Sequence, residues 1–185
     1  NKSIELKVSF PGENGFCGGF YSPLMLFFDE KRPQFIGQSQ FPLVEGRSVA
    51  WPEANSSGYF LVHDQSDRLE INKASQLFGE SKEFKNGFDK LAQLDTNKDG
   101  FITVKDPEFK HLYLWKNTKG DGISQKHDLI PLGKIVEKIS LKYESGHLRP
   151  IGKFAEEREK SFFWFKDDKG LLKKGQIVDI WLSPK

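Results

Sequence analysis

The stretch Asp95-Thr96-Asn97-Lys98-Asp99-Gly100-Phe101-Ile102-Thr103-Val104-Lys105-Asp106 sets oxygen-bearing side chains at alternate positions and closes on another acid. That spacing suits calcium, a hard cation that takes six to eight oxygens at roughly 2.3–2.6 Å, in a loop of the EF-hand kind. Asp95, Asn97 and Asp99 occupy the first, third and fifth ligand positions. Gly100 stands where the chain must turn sharply, and a Cβ there is disfavoured. The Phe101 carbonyl fills the seventh position, Thr103 the ninth and Asp106 the last. An Asp at the closing position reaches less far than the usual bidentate Glu, so the expected affinity is modest, ~10⁻⁶ to 10⁻³ M. The plainer alternative is a turn marked by Asn, Asp and Gly. The match of ligands, Gly, following Ile and closing acid favours the metal.

Two related loops flank it. The first, Asp64-Gln65-Ser66-Asp67-Arg68-Leu69-Glu70-Ile71, carries Arg68 at a ligand position, Leu69 in place of the Gly and Gln76 in place of the closing acid. Metal binding is not expected there. The Arg68 guanidinium is expected to fill the space of the lost cation and pair with Asp64. Ile71 and Ile102 hold equivalent positions, where paired EF-hand loops join through a short β-bridge. The other relative runs from Asn117 to Asp128 and offers Asn117, Asp121, the Ile123 carbonyl and Asp128 as weaker metal candidates. Its Asn117 is uncharged, and Lys119 brings a cation to a ligand position. The loops start 31 and 22 residues apart, an unequal spacing that indicates a repeated device inside one domain and no solenoid.

The segments that must position these loops read mostly as strands. Ile4–Phe10 alternates, Leu24–Phe28 and Gly58–Val62 are short apolar runs, and His111–Trp115 reads as a strand. Near the end Ile139–Tyr143 and Ile177–Leu182 alternate around the aromatic run Phe162–Phe165, expected as core strand. Between Ser81 and Leu94 the apolar residues Phe84, Phe88, Leu91 and Leu94 recur at helical spacing. Asp106-Pro107 is a helix-start signal, and the charged stretch 149–160 reads as a solvated loop or short helix. The expected class is α+β, with antiparallel strands from both ends of the chain around an EF-hand-like helix–loop region spanning about residues 60–130. One domain over residues 1–185 accommodates all of it.

Composition narrows the function classes. Lys+Arg 28 against Asp+Glu 26 leaves a formal charge of +2, which gives no argument for nucleic acid as a partner. No apolar run reaches the roughly 18 residues of a membrane helix, so insertion is not expected. Cys17 is alone, which excludes an internal disulfide and a cysteine metal cluster. The chain opens at Asn1 without a signal-peptide pattern and reads as a mature or excised fragment. His63, His111, His127 and His147 lack metalloprotease spacing, and no nucleophile elbow or phosphate-binding Gly loop is present.

Eight short motifs occur in an order that resembles one bacterial family: Ser22-Pro-Leu, Val49-Ala-Trp, Gly58-Tyr-Phe-Leu-Val-x-Asp, Gln76-Leu-Phe-Gly-Glu, Leu94-Asp-Thr-Asn-Lys-Asp-Gly-Phe-Ile, Leu112-Tyr-Leu-Trp, Gly120-Asp-Gly-Ile-Ser and Val178-Asp-Ile-Trp-Leu. Over residues 20–183 the chain is similar to the calcium-binding self-processing modules of repeat-in-toxin (hemolysin-type) proteins and to related domains of large secreted adhesins. The resemblance implies a module folded by calcium in a secreted, cell-surface or periplasmic bacterial protein; a peptide- or glycan-binding adhesin domain, its protein or glycan ligand unknown, is an alternative. It also implies cleavage at an Asp-Pro bond, where the Asp carboxylate attacks its own carbonyl and water or a Lys amine captures the acyl group. The matching position here is Ser22-Pro23, which lacks the carboxylate. After Leu26 only Asp29 remains of the family's early acidic loop. Loss of self-cleavage is therefore the expectation, and no enzyme activity is assigned. The second Asp-Pro bond, Asp106-Pro107, commits its acid to the metal loop.

Overall fold

The computed structural model describes residues 22–43, 48–66, 68–146 and 148–184. The expected strand Ile4–Phe10, Cys17 and His147 lie outside these residues.

Strand β1 (Leu24–Phe27) is buried at all four positions. Met25 and Phe27 face one apolar cluster and Leu24 and Leu26 the other, because successive side chains leave a strand on opposite faces. A strand covered on both sides carries no polar face, hence its continuous apolar run. The same holds for β4 (Tyr59–His63) and β6 (Leu112–Trp115).

Around β1 a nine-stranded antiparallel sheet assembles. One neighbour is β4, which leads through β6 to β7 (Leu129–Pro131). The other is β11 (Leu172–Leu182), followed by β10 (Ala155–Lys166), β8 (Val136–Ser140) and β5 (Phe101–Ile102). Strand β9 (Arg149–Ile151) pairs with β10. A separate ribbon joins β2 (Gly37–Gln38) and β3 (Ala50–Trp51).

The α+β expectation is overturned. The protein is mostly β, with a curled antiparallel sheet resembling half a barrel and 14% of the described residues helical. Strands from both ends do meet, β1 beside β11, yet among the described residues no helical layer covers them. The helix expected over Ser81–Leu94 shrinks to α1 (Gly87–Leu91), capped by the Asn86 side chain, which accepts from Asp89 N–H at 2.9 Å, and then tightens into a 3-10 turn, Ala92–Leu94. The helix start at Asp106-Pro107 yields only a five-residue 3-10 segment, Pro107–His111. Helical pieces this short depend on packing, since so few residues cannot offset the cost of nucleation. The stretch 149–160, expected as loop or short helix, is strand β9 and the first half of β10. Its charges alternate with buried Ala155, Glu157 and Ser161, a two-residue period obscured by salt bridges such as Arg32–Glu157 at 2.6 Å.

Candidate metal centre

All three acidic loops share one hydrogen-bonded frame. At the sixth position the backbone is left-handed in each, with φ of +56° at Leu69, +80° at Gly100 and +76° at Gly122. That residue's N–H donates to the side chain at the first position: Leu69 to Asp64 Oδ2 at 2.8 Å, Gly100 to Asp95 Oδ2 at 2.9 Å, Gly122 to Asn117 Oδ1 at 2.9 Å. The closing residue accepts the N–H of the ninth position, as Thr103 gives to Asp106 Oδ2 (2.9 Å) and Gln125 to Asp128 Oδ2 (3.2 Å). In the first loop the twelfth residue is Ser75, and Gln76, one position later, takes this part through Oε1, accepting from Asn72 N–H at 2.9 Å and Lys73 N–H at 3.1 Å. Leu69 thus adopts a left-handed conformation that suits Gly.

In the central loop Asp95 Oδ1 accepts from Asp99 N–H (3.2 Å), Asn97 Oδ1 from the same N–H (3.1 Å), and Asp99 Oδ1 from Phe101 N–H (3.0 Å). Asn97 Nδ2 donates to Asp99 Oδ2 at 2.9 Å. Asp106 is 1% exposed, and its Oδ1 accepts from Thr96 N–H at 3.0 Å. None of Asp95, Asp99 and Asp106 forms an ion pair among the described residues. Nor do three His, Cys, Asp or Glu side chains there converge tightly enough to hold a metal by themselves. A site must therefore draw on Asn97 Oδ1, the Phe101 carbonyl and Thr103 as well as the acids. The residues present fit calcium: hard oxygens, three uncompensated carboxylates and a loop already turned at Gly100.

The first loop departs from expectation. Arg68 is exposed and makes no ion pair with Asp64. The Asp64 carboxylate is occupied by Ser66 N–H at 3.0 Å, Ser66 Oγ–H at 2.6 Å and Leu69 N–H. Burial pushes this carboxyl up, but the Ser66 hydroxyl and the N–H groups of Ser66, Leu69 and Glu70 outweigh it and hold the pKa below its ordinary value. The backbone has replaced the cation, so the guanidinium is not needed. Nor do Ile71 and Ile102 bridge: Ile71 N–H donates to Ser124 Oγ at 2.9 Å, whereas Ile102 pairs with Ile139. The two loops face different cores, so the first loop joins the third and leaves the central one separate.

A second cluster surrounds Ser22 and went unrecognised in the sequence. Ser22 is fully buried, with its Oγ accepting from Glu80 N–H at 3.3 Å and Gly79 packed against its carbonyl. Pro23 O accepts from Ile180 N–H at 3.1 Å. Next to Ile180 in β11, with its side chain on the opposite face, lies Asp179, fully buried, its Oδ2 accepting from Gly87 N–H at 2.6 Å and its Oδ1 without a hydrogen bond. Burial raises the Asp179 carboxyl well above its ordinary value; the Ser22 hydroxyl and Gly87 N–H oppose this, and Glu159 and Glu80 add to it. The Ser22 hydroxyl is close enough to act on the carboxyl but does not satisfy Oδ1 in geometry. Burial also raises Glu80 and Glu159. The signal in the sequence was an acid between Val178 and Ile180, inside a strand apolar on both faces.

The model of the SPM domain, the self-processing module, matches residues 43–183, most of the chain. The chain belongs to the SPM domain family. This SPM domain is also similar to "Iron-regulated protein FrpA" of Neisseria meningitidis serogroup C, 30% identical over 139 residues that cover 67% of this chain. The match spans only 12% of that relative's length. All three acidic loops and Asp179 lie inside the SPM match, whereas Ser22-Pro23 precedes it.

Proposed function

We propose that this SPM domain is a calcium-stabilised structural or interaction module of an exported bacterial protein. The observation that carries the reading is the central loop: Asp95, Asp99 and Asp106 are held in place by backbone N–H groups with no counter-cation among the described residues. Such a loop accumulates like charge that a bound divalent cation would neutralise. Asp95, Asn97, Asp99, the Phe101 carbonyl, Thr103 and Asp106 would hold the ion. Export is supported by family membership, the similarity to FrpA and the resemblance to repeat-in-toxin modules. Calcium is scarce inside cells and abundant outside, so the ion would favour the folded state after export.

The test is a pair of thermal melts, one with calcium in excess and one with a chelator. At a free concentration about a hundred times Kd, binding to the native state alone adds about 2.7 kcal/mol. A domain of this size gains roughly 2–4 °C per kcal/mol, so the midpoint is expected to rise by about 5–10 °C. Coincident melts refute the proposal.

The competing reading is a module that cuts its own chain. The buried Asp179, coupled to the half-buried Glu80 and Glu159, favours it, because raised carboxyls suit proton transfer. Yet Ser22 has no carboxylate to attack its own carbonyl, so the protein is expected to keep its full mass during prolonged incubation with calcium. A fragment ending at Ser22 or Asp106 in a mass spectrum reverses that expectation.

A further inference from the structure

The third loop keeps the frame of a metal loop but has a different occupant. Asn117 is 8% exposed at the first ligand position. Its Oδ1 accepts from Trp51 Nε1–H at 2.8 Å and from Gly122 N–H at 2.9 Å. Both partners can only donate, so the oxygen and nitrogen of the carboxamide are fixed without ambiguity. The Nδ2 group must face inward, and there it donates to Asp121 Oδ1 at 3.3 Å and to the Ile123 carbonyl at 3.5 Å. These are the fifth and seventh ligands of the loop, the oxygens a calcium ion would gather.

We propose that the Asn117 carboxamide stands in for the cation, so that the third loop folds without metal and does not bind calcium. The inference rests on the reading of the central loop as the calcium loop. Lys119, the cation at the third ligand position, is exposed and donates to neither oxygen. For calcium to enter, the carboxamide would have to turn over, stranding the Trp51 indole N–H in a fully buried position. The surroundings make such a turn harder. Gln40 N–H donates to Asp121 O at 2.9 Å, Asn55 N–H to Thr118 O at 3.0 Å and Ile71 N–H to Ser124 Oγ. A Cβ on Gly122 would collide with Ser39 Oγ. The third loop is thereby a fixed junction between the β2–β3 ribbon and the first loop, and calcium dependence is confined to the central loop.

Asn117→Asp replaces the inward N–H donors with a carboxylate oxygen that repels Asp121 and the Ile123 carbonyl unless a cation intervenes. Native mass spectrometry with calcium is expected to count one more ion on Asn117→Asp than on the wild-type chain. In chelator this variant is expected to melt several degrees lower than wild type, and to recover when calcium is added. Asp121→Ala in the otherwise wild-type chain is expected to leave the ion count unchanged. An unchanged count on Asn117→Asp with no recovery by calcium overturns the proposal, as does loss of an ion from Asp121→Ala. If wild type binds no calcium and Asn117→Asp binds one, the central-loop reading fails and this inference stands.

Discussion

Replacing Asp95 and Asp99 together by Ala abolishes the rise in melting midpoint on adding calcium, while the melt in chelator stays near that of wild type or moves up. Asp95 anchors the central loop through both carboxylate oxygens, taking the N–H groups of Asp99 and Gly100. Asp99 supplies a carboxylate oxygen bonded only to Asn97 Nδ2, at 2.9 Å. Removing both strips two of three uncompensated charges from one loop. Without the ion the loss of hydrogen bonds and the relief of repulsion oppose each other, so the metal-free protein changes little. With the ion the whole linkage term of about 2.7 kcal/mol at a hundredfold excess is forfeited. Calorimetric titration checks the same point directly: heat of binding seen with wild type and absent from the double variant is the expected pair. Retained heat moves the site elsewhere.

Asp179→Asn raises stability at neutral pH and flattens its decline with alkalinity. The folded-state pKa of Asp179 lies above its unfolded value, so the group favours the native state fully below about pH 3.9 and progressively loses that contribution as pH rises through the folded pKa. An Asn cannot ionise, and its oxygen can keep the Gly87 N–H bond at the Oδ2 position. Its amide nitrogen replaces the unpartnered Oδ1 and can donate to the Ser22 hydroxyl. Giving a partner to a buried polar group is worth about 1–3 kcal/mol. The advantage of the variant is expected to grow from pH 4 to pH 8 in denaturant melts. Glu80 and Glu159 retain a smaller slope of the same sign. An advantage that shrinks with rising pH reverses the argument.

What could be read from the residues follows from what local pattern encodes. Alternate oxygens around Gly100 and Gly122 specify loop geometry within a dozen residues, so the loops were visible. The strands at Leu24, Tyr59, Leu112 and Ile177 were visible for a similar reason, as each is a compact apolar run. The fold class was not. Phe84, Phe88, Leu91 and Leu94 have helical spacing, but the tertiary structure keeps only Gly87–Leu91 as α-helix. The charged residues 156–160 hid a strand because Glu157 finds its partner in Arg32, far away in sequence. The Asn117 substitution was legible as a departure from the metal pattern, but its meaning depends on Trp51, which reaches it from another ribbon. Arg68 was misplaced because residue type suggested a counter-ion, whereas local backbone N–H groups had already met the demand of Asp64.

The position of β1 also shapes how the chain can reach its native state. This strand lies between β4 and β11, and nearly all of the described chain separates Leu24 from its partner Asp179. During synthesis the segments emerge in order, yet one edge of β1 must wait for β11. Until then Met25 and Leu26 present an open hydrogen-bonding edge flanked by apolar surface, a condition that invites mispairing. Closure by distant segments is slow because it bears the entropy of a long loop before any contact rewards it. The step that completes the sheet is thus tied to the arrival of β11, making the interval before that arrival the period of greatest exposure to proteases and to other chains.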